Sequence, residues 1–336
     1  MRITYDKVNL YRTELMGIAA ILVFLNHSKL FLWDDKYGFV LKLFSEGGVG
    51  VDVFILLSGI GLYYSYANNT NAKSFYRRRA SRIMPTYLSV ATILFGIKCI
   101  VNGSFKRFLL DLSLISYWIY GDGSYWYVAY VLVFYFLYPF IFNFMLKSRK
   151  NTVVAISLMY LVQIVVLLYA NDLYCRLQFF FSRLPITIIA CWLGKKSYEK
   201  ETIGKKYFAL CMLAFICIRI FRIIFVPEIY EGWVTFLVKT ANCYCMIVFI
   251  YLYAILREKI DICLIDRHRK LGMILPWFLT FMGNMSLEVY LIHVSMISCV
   301  FLLVKHEISV HWYFLVGFPL TCLLSYIDKR LIEKIC

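Results

Sequence analysis

Apolar positions along this chain come in long blocks, not in the three-to-four-residue rhythm of a surface helix. A block of about 20 apolar residues is the length at which an α-helix crosses a bilayer. Ten segments qualify to differing degrees: residues 13–33, 47–66, 84–101, 125–146, 152–170, 177–194, 207–226, 233–255, 285–304 and 312–327. The sixth and tenth are short. Polar connections rich in Lys and Arg separate them, with no repeat and no Pro/Ser-rich linker between. The pattern predicts an all-α, polytopic integral membrane helix bundle of about ten transmembrane helices, forming a single domain over residues 1–336.

Charge orients the helices. The 336 residues include 36 Lys+Arg against 20 Asp+Glu, a net +16, yet 62% are hydrophobic, 17% are charged and mean hydropathy is +0.71. High hydrophobicity excludes intrinsic disorder. A nucleic-acid binder would carry its basic residues on a soluble core, so no nucleic-acid partner is expected. With the N-terminus inside, the inner connections hold 24 of the 36 cations and the outer ones 7. Five more, Lys98, Arg183, Arg219, Arg222 and Lys239, fall within spans. The asymmetry predicts N-in and C-in with an even span count, in a cell membrane. Two further stretches then read as interfacial: 105–120 outside and 275–285 inside. The 11 Cys include no CxxC pair and lie mostly in apolar runs, so they read as small buried hydrophobes, and no metal site is expected. The first apolar run has no small-residue cleavage site and reads as an uncleaved span.

Within the first span, Arg12, Met16, Ala19, Val23 and His27 line one helical stripe. At 1.5 Å per residue, His27 lies roughly 22 Å above Arg12, toward the outer leaflet. A neutral imidazole there can act as general base on a hydroxyl, or simply hydrogen-bond a neighbouring helix. The second span opens with three glycines around Gly50, which permit close helix approach. Asp52, inside that apolar span, needs a partner. Its depth resembles that of His27 on the preceding antiparallel helix, which suggests a His27–Asp52 pair. The other reading is a helix-end cap or a pairing with a nearby cation.

The inner connection after the second span carries Arg77, Arg78, Arg79 and Arg82, denser than topology requires. Arg79 and Arg82, at i, i+3, share a face if the segment is helical. Such forks suit phosphates, and equally suit anionic lipid head groups. Trp126, beside Tyr125 and Tyr127, reads as part of an interfacial aromatic belt or of a cavity wall. The ninth span carries Glu288, Tyr290 and His293, with both ionisable groups needing protein or water around them. With Asp52 and the cations of spans six to eight, they suggest a polar cavity.

These patches, in this order, resemble the acyltransferase-3 family of integral membrane acyltransferases. The first-helix pattern matches Met16-Gly17-Ile18-Ala19 through His27; Gly-Val-Asp…Leu-Ser-Gly matches residues 50–59. Phe-Tyr-Arg-Arg-Arg-x-x-Arg-Ile-x-Pro matches 75–85, Trp…Tyr…Pro matches 126–139, and Ser…Tyr-Leu-Ile-His matches 286–293. The family's arginine eleven positions before the histidine is Met16 here. Arg12 sits on the same stripe, about 6 Å lower, so the arginine role falls to Arg12, to another helix or to none. The resemblance implies a ten-helix protein that takes an acyl group, usually acetyl, from cytosolic acyl-CoA as co-substrate, with no permanently bound cofactor. The group is delivered to a hydroxyl of a cell-surface or exported glycan, or of a lipid-linked sugar. No SGNH-type hydrolase domain is expected after the helices. His27, Asp52 and Arg12 are then the catalytic candidates, Arg78, Arg79 and Arg82 the acyl-CoA-binding ones, and Trp126, Glu288, Tyr290 and His293 the substrate-cavity ones. A transporter or flippase of a lipid-linked glycan would use the same polar cavity, and a succinyl or other acyl donor fits the same motifs.

Overall fold

The computed structural model describes residues 3–225, 232–265, 274–304 and 308–335. The expected end of the seventh span at 226, the inner cations Arg2, Arg267, Arg269 and Lys270, and the outer Lys305 lie outside these residues. The main helices are α1 (Arg12–His27), α2 (Gly50–Ala67), α3 (Ala72–Asn102), α4 (Phe105–Leu112), α5 (Ile115–Tyr120), α6 (Trp126–Lys147) and α7 (Arg149–Tyr169). They continue with α8 (Leu184–Tyr198), α9 (Lys205–Phe225), α10 (Gly232–Ile265), α11 (Ile274–Asn284), α12 (Ser286–Leu303) and a final run α13 (Val310–Lys334). A two-residue antiparallel pair, Ile3–Thr4 with Thr202–Ile203, was not foreseen; at that length it has no sequence signature.

Among the described residues, six helices are long and apolar enough to cross a membrane: α3, α6, α7, residues Gly232–Ile262 of α10, α12 and α13. Helix α7 shows why. Val154, Leu158, Leu161, Val165 and Leu168 form an exposed apolar stripe, while Thr152 and Gln163 are buried. That is the reverse of a soluble helix, and it fits an environment in which the solvent is hydrocarbon.

Local chemistry sets several ends. The Asn71 side chain accepts from Ser74 N to start α3, and Gly103 at φ 67° closes it. Ser104 and Ser148 cap α4 and α7 in the same way. The arginine-rich stretch expected as a connection is therefore the first turns of one 31-residue helix. Nothing at 77–84 stops α3 on its N-terminal side, and Asn71 is the nearest good cap. The expected sixth span, 177–194, is broken instead, into Gln178–Phe181 and α8, and a separate short helix, Asn171–Arg176, precedes it. Pro185 sets the start of α8, leaving Arg183 at the break. Helix α1 ends at His27 in a 3-10 turn, Ser28–Leu30, six residues before the expected 33.

The chain divides into two compact units. The first takes Met1–Met16, Val51–Thr70 and Tyr138–Leu279. Within it α8 packs on α7 and α9 on α10. A Cβ on Gly59 of α2 would overlap Ala190 of α8, so this glycine permits the two backbones to approach. The second unit takes Gly17–Gly50, Asn71–Leu137 and Thr280–Cys336. Within it α12 packs against both α3 and α13. One hydrophobic cluster, Phe24, Phe31, Ile297, Val310 and Tyr313, closes its core near the end of α1, and the Tyr313 hydroxyl donates to Phe24 O at 2.8 Å. The stretch expected to be interfacial at 105–120 forms α4 and α5, with Phe105, Leu109 and Ile119 exposed and Asp111 and Tyr117 buried.

Candidate functional site

The second unit brings two histidines together. His27 ends α1, and His293 lies mid-way along α12, fully buried. His293 Nε2 stands 3.2 Å from His27 Nδ1. Each Nδ1 also faces the backbone carbonyl one helical turn earlier: Val23 O at 2.8 Å for His27 and Val289 O at 2.7 Å for His293. A carbonyl only accepts, so both Nδ1 atoms carry the proton in the neutral rings. The Nε2 of His293 is then a bare lone pair that accepts from the His27 Nδ1–H. Among the described residues, one atom of the pair is left as an uncommitted base, His27 Nε2. The tautomer thus follows from the carbonyls on both helices.

Aromatic rings fix the pair. Phe24 and Tyr290 each lie 6.0 Å from the His293 ring, with Tyr127 against Tyr290 at 5.5 Å. Trp126 is buried and packs edge-on against Tyr127 and Tyr130. Tyr125 is buried and hydrogen-bonds Ser295, so this cluster forms an internal wall, not an interfacial belt.

Of the expected cavity residues, His293 therefore meets His27 and Tyr290 packs against His293, whereas Glu288 stands apart. It lies about 7 Å nearer the start of α12, among the charges of Lys329, Asp328 and Arg82. The four arginines of α3 also separate. Arg77 and Arg82 are exposed. Arg78 donates to Ser74 Oγ at 2.5 Å. Arg79 is half-buried, its guanidinium 5.5 Å from the Phe75 ring and 5.9 Å from the Tyr135 ring, with Nε unpartnered. Aromatic faces hold that guanidinium in place with donor capacity left over.

At the far end of α3, Asp122 accepts from Ser124 N and Ser124 Oγ and pairs with Arg107 at 3.2 Å. Burial is the largest influence and pushes its carboxyl up. The Ser124 bonds and the charges of Lys98 and Arg107 outweigh it and hold the carboxyl below its ordinary value.

The first unit holds the other catalytic candidates. Asp52 Oδ1 lies 3.0 Å from Arg183 Nε, and both side chains are buried. Arg183 Nη1 also donates to Ser182 Oγ and Phe179 O. Asp52 thus has a guanidinium partner, and His27 has His293: the expected His27–Asp52 pair is replaced by two different pairs. The reason is electrostatic. A buried carboxylate is compensated by a full positive charge far better than by a neutral imidazole. The sequence signal was available, because Arg183 is one of the few cations inside an apolar span. Arg12 rests its guanidinium on Gly61 of α2, where a side chain would overlap it. A further network escaped the sequence reading: Tyr253 and Arg257 of α10 both donate to Glu14 Oε2, at 2.6 and 3.1 Å. Among the described residues, no three His, Cys, Asp or Glu side chains converge as metal ligands.

The acyltransferase MdmB of Streptomyces mycarofaciens is 32% identical over 117 residues, which is 32% of this chain and 30% of that protein. The chain thus matches less than a third of that relative's length. No solved structure matches. The acyltransferase-3 family, described as an acyltransferase domain, matches residues 15–327 and so takes in segments of both units. With the family model covering residues 15–327 and six membrane-length helices among the described residues, the chain belongs to the acyltransferase-3 family of membrane proteins.

Proposed function

We propose that this protein is an O-acyltransferase of the cell membrane. It moves an acyl group, most simply acetyl, from cytosolic acyl-CoA to a hydroxyl of a cell-surface or exported glycan. The observation that carries the reading is the uncommitted Nε2 of His27, left as a base by the two carbonyls and by His293. Ten spans with both termini inside, as the distribution of cations suggests, would put His27 near the outer face and Arg79 near the inner one.

In this reading Arg79 and Arg82 hold the phosphates of CoA, with Arg78 assisting, and the pantetheine arm carries the thioester inward. His27 Nε2 removes the proton of the acceptor hydroxyl as its oxygen attacks the thioester carbonyl. The new bond is acyl carbon to oxygen, and the broken bond is acyl carbon to sulfur. The His27 imidazolium then returns its proton to the departing thiolate, so the enzyme ends as it began. His293 accepts the Nδ1–H of His27 throughout, fixing the ring in the orientation and tautomer that the first step needs. Asp52 and Arg183 hold α2 and the start of α8 together and take no part in the proton transfer. Arg12 keeps a structural place against α2.

The test uses purified protein in proteoliposomes with acetyl-CoA and candidate glycans. The reading predicts acceptor-dependent release of free CoA thiol, with one acyl group appearing on the glycan for each thiol. Movement of a lipid-linked glycan with no thiol release would show a transporter and end this reading.

A further inference from the structure

The far end of α3, in the second unit, carries a polar patch that the transfer step leaves unused. Lys98, a cation inside an apolar span, lies one turn before α3 ends. Its ammonium donates to Ser124 Oγ at 3.4 Å and rests on the Phe95 ring at 5.4 Å. Ser124 donates in turn to Asp122 Oδ1, and Asp122 Oδ2 accepts from Arg107 at 3.2 Å. Arg107 also pairs with the buried Asp111 at 2.9 Å. The four charges joined in this way cancel. Bonding capacity remains in the patch. An ammonium has three N–H donors, of which Ser124 takes one, and Asp122 Oδ2 keeps a lone pair beyond the Arg107 bond.

An aromatic face stands beside these groups. Arg107 lies over the Tyr120 ring at 4.8 Å, and Tyr120 keeps 56% of its surface exposed. The short helix α5 that carries it is held between two left-handed residues, Leu114 at φ 63° and Gly121 at φ 73°. Glycine adopts that conformation freely and leucine does not. Tyr125 ties the patch to α12, since its buried hydroxyl bonds Ser295, two residues past His293. The Lys98 charge reaches Cys299, six residues past His293 and so about 9 Å further along α12.

We propose that this patch is a subsite for the acceptor glycan, and that it binds an uncharged sugar of the chain other than the one that reacts. The inference rests on the acyl-transfer reading above and adds the chemical class of the acceptor to it. A pyranose ring presents an apolar C–H face and a rim of hydroxyls. The C–H face stacks on Tyr120. Neighbouring hydroxyls accept from Lys98 and donate to Asp122 Oδ2. Charge selects among glycans. With Lys98 and Arg107 matched by Asp111 and Asp122, a uronate or phosphate on the sugar gains no net attraction and is repelled by Asp122. Binding a remote sugar orients the reacting hydroxyl for His27 without entering the chemical step.

The experiment incubates the detergent-solubilised full chain with an array of immobilised oligosaccharides, uncharged ones beside uronate- and phosphate-bearing counterparts. Wild type is expected to bind uncharged oligosaccharides. Lys98→Gln should lower the apparent affinity by about 10-fold or more, the loss of a charge-assisted hydrogen bond. Tyr120→Ala should lower it by roughly 3- to 10-fold, and Tyr120→Phe should bind as wild type, because the ring carries the contact. Tyr169→Ala, at an exposed tyrosine of the first unit, should leave binding unchanged. Wild-type affinity in both Lys98→Gln and Tyr120→Ala would overturn the subsite, as would wild-type binding confined to anionic glycans or to no uncharged glycan. Rates of acyl transfer separate this from the broader reading. Transfer to glycan with unaltered binding in the variants removes the subsite alone. Glycan binding that falls in both variants, with no transfer from any acyl-CoA, keeps the subsite and removes the acyl-transfer reading.

Discussion

Replacing Arg183 with Met tests the buried ion pair that took Asp52 away from His27. The two side chains are 4% and 3% exposed and the charged atoms are 3.0 Å apart. Removing one partner of such a pair leaves an uncompensated buried charge, which costs about 3–5 kcal/mol. Replacing both by apolar groups of similar volume is often neutral or stabilising, because the desolvation cost disappears with the charges. Arg183→Met and Asp52→Leu alone should therefore each destabilise by about 3–5 kcal/mol, and the double variant should recover most of that loss. The coupling comes out as the non-additive part of the cycle. Unfolding in mixed micelles, titrated with sodium dodecyl sulfate and followed by tryptophan fluorescence, gives the three differences. A single-variant cost near that of an exposed pair, about 1 kcal/mol or less, or strictly additive singles, would refute the reasoning. So would a larger coupling of Asp52 to His27 than to Arg183.

Three further outcomes are expected. His293→Ala should lower kcat about 10- to 100-fold through a loosened His27 ring, with KM for acyl-CoA near wild type, because Val23 O still holds the tautomer; an unchanged kcat would contradict the positioning role. The double variant Arg79→Ala, Arg82→Ala should weaken CoA binding, measured by calorimetry, by roughly 10- to 100-fold, as expected for lost charge-assisted hydrogen bonds; unchanged affinity would sink the donor site. Asp122 is held below its ordinary value of 3.8, so its folded form keeps the charge that the unfolded chain loses first. Its stabilising contribution is full above that ordinary value and disappears as pH falls through the lower folded value. The stability gap between wild type and Asp122→Asn should therefore close as pH is taken from neutrality to below about 4, and a gap that widens would reverse the sign of the argument.

Much of the helix inventory is legible in the sequence, because a span is a composition and not a pattern of contacts. The stretches around α3, α6, α7, α10, α12 and α13 stand out by apolar length alone. Boundaries are not legible in the same way. The arginines of α3 look like a connection because they are charged, but an Asn71 cap and good helix formers carry the helix straight through them. The broken stretch before α8 looks continuous because its interruption depends on one proline and a buried arginine. At the site, His27, Tyr290 and His293 were individually visible as polar or aromatic groups in motif positions. That His293 faces His27, whereas Glu288 on the same helix lies among the charges of Lys329, Asp328 and Arg82, depends on helix rotation and packing that no single segment encodes. Depth alone paired Asp52 with His27; charge compensation, which needs the partner helix to be known, paired it with Arg183.

The central claim is that His27 Nε2 is the base of the transfer. Its most direct test is the initial rate of label transfer from radiolabelled acetyl-CoA to glycan by reconstituted His27→Ala beside wild type, with folding matched by size-exclusion profile. The account predicts a loss of at least about 100-fold, the contribution typical of a positioned general base. Transfer by His27→Ala at a rate close to wild type would contradict it.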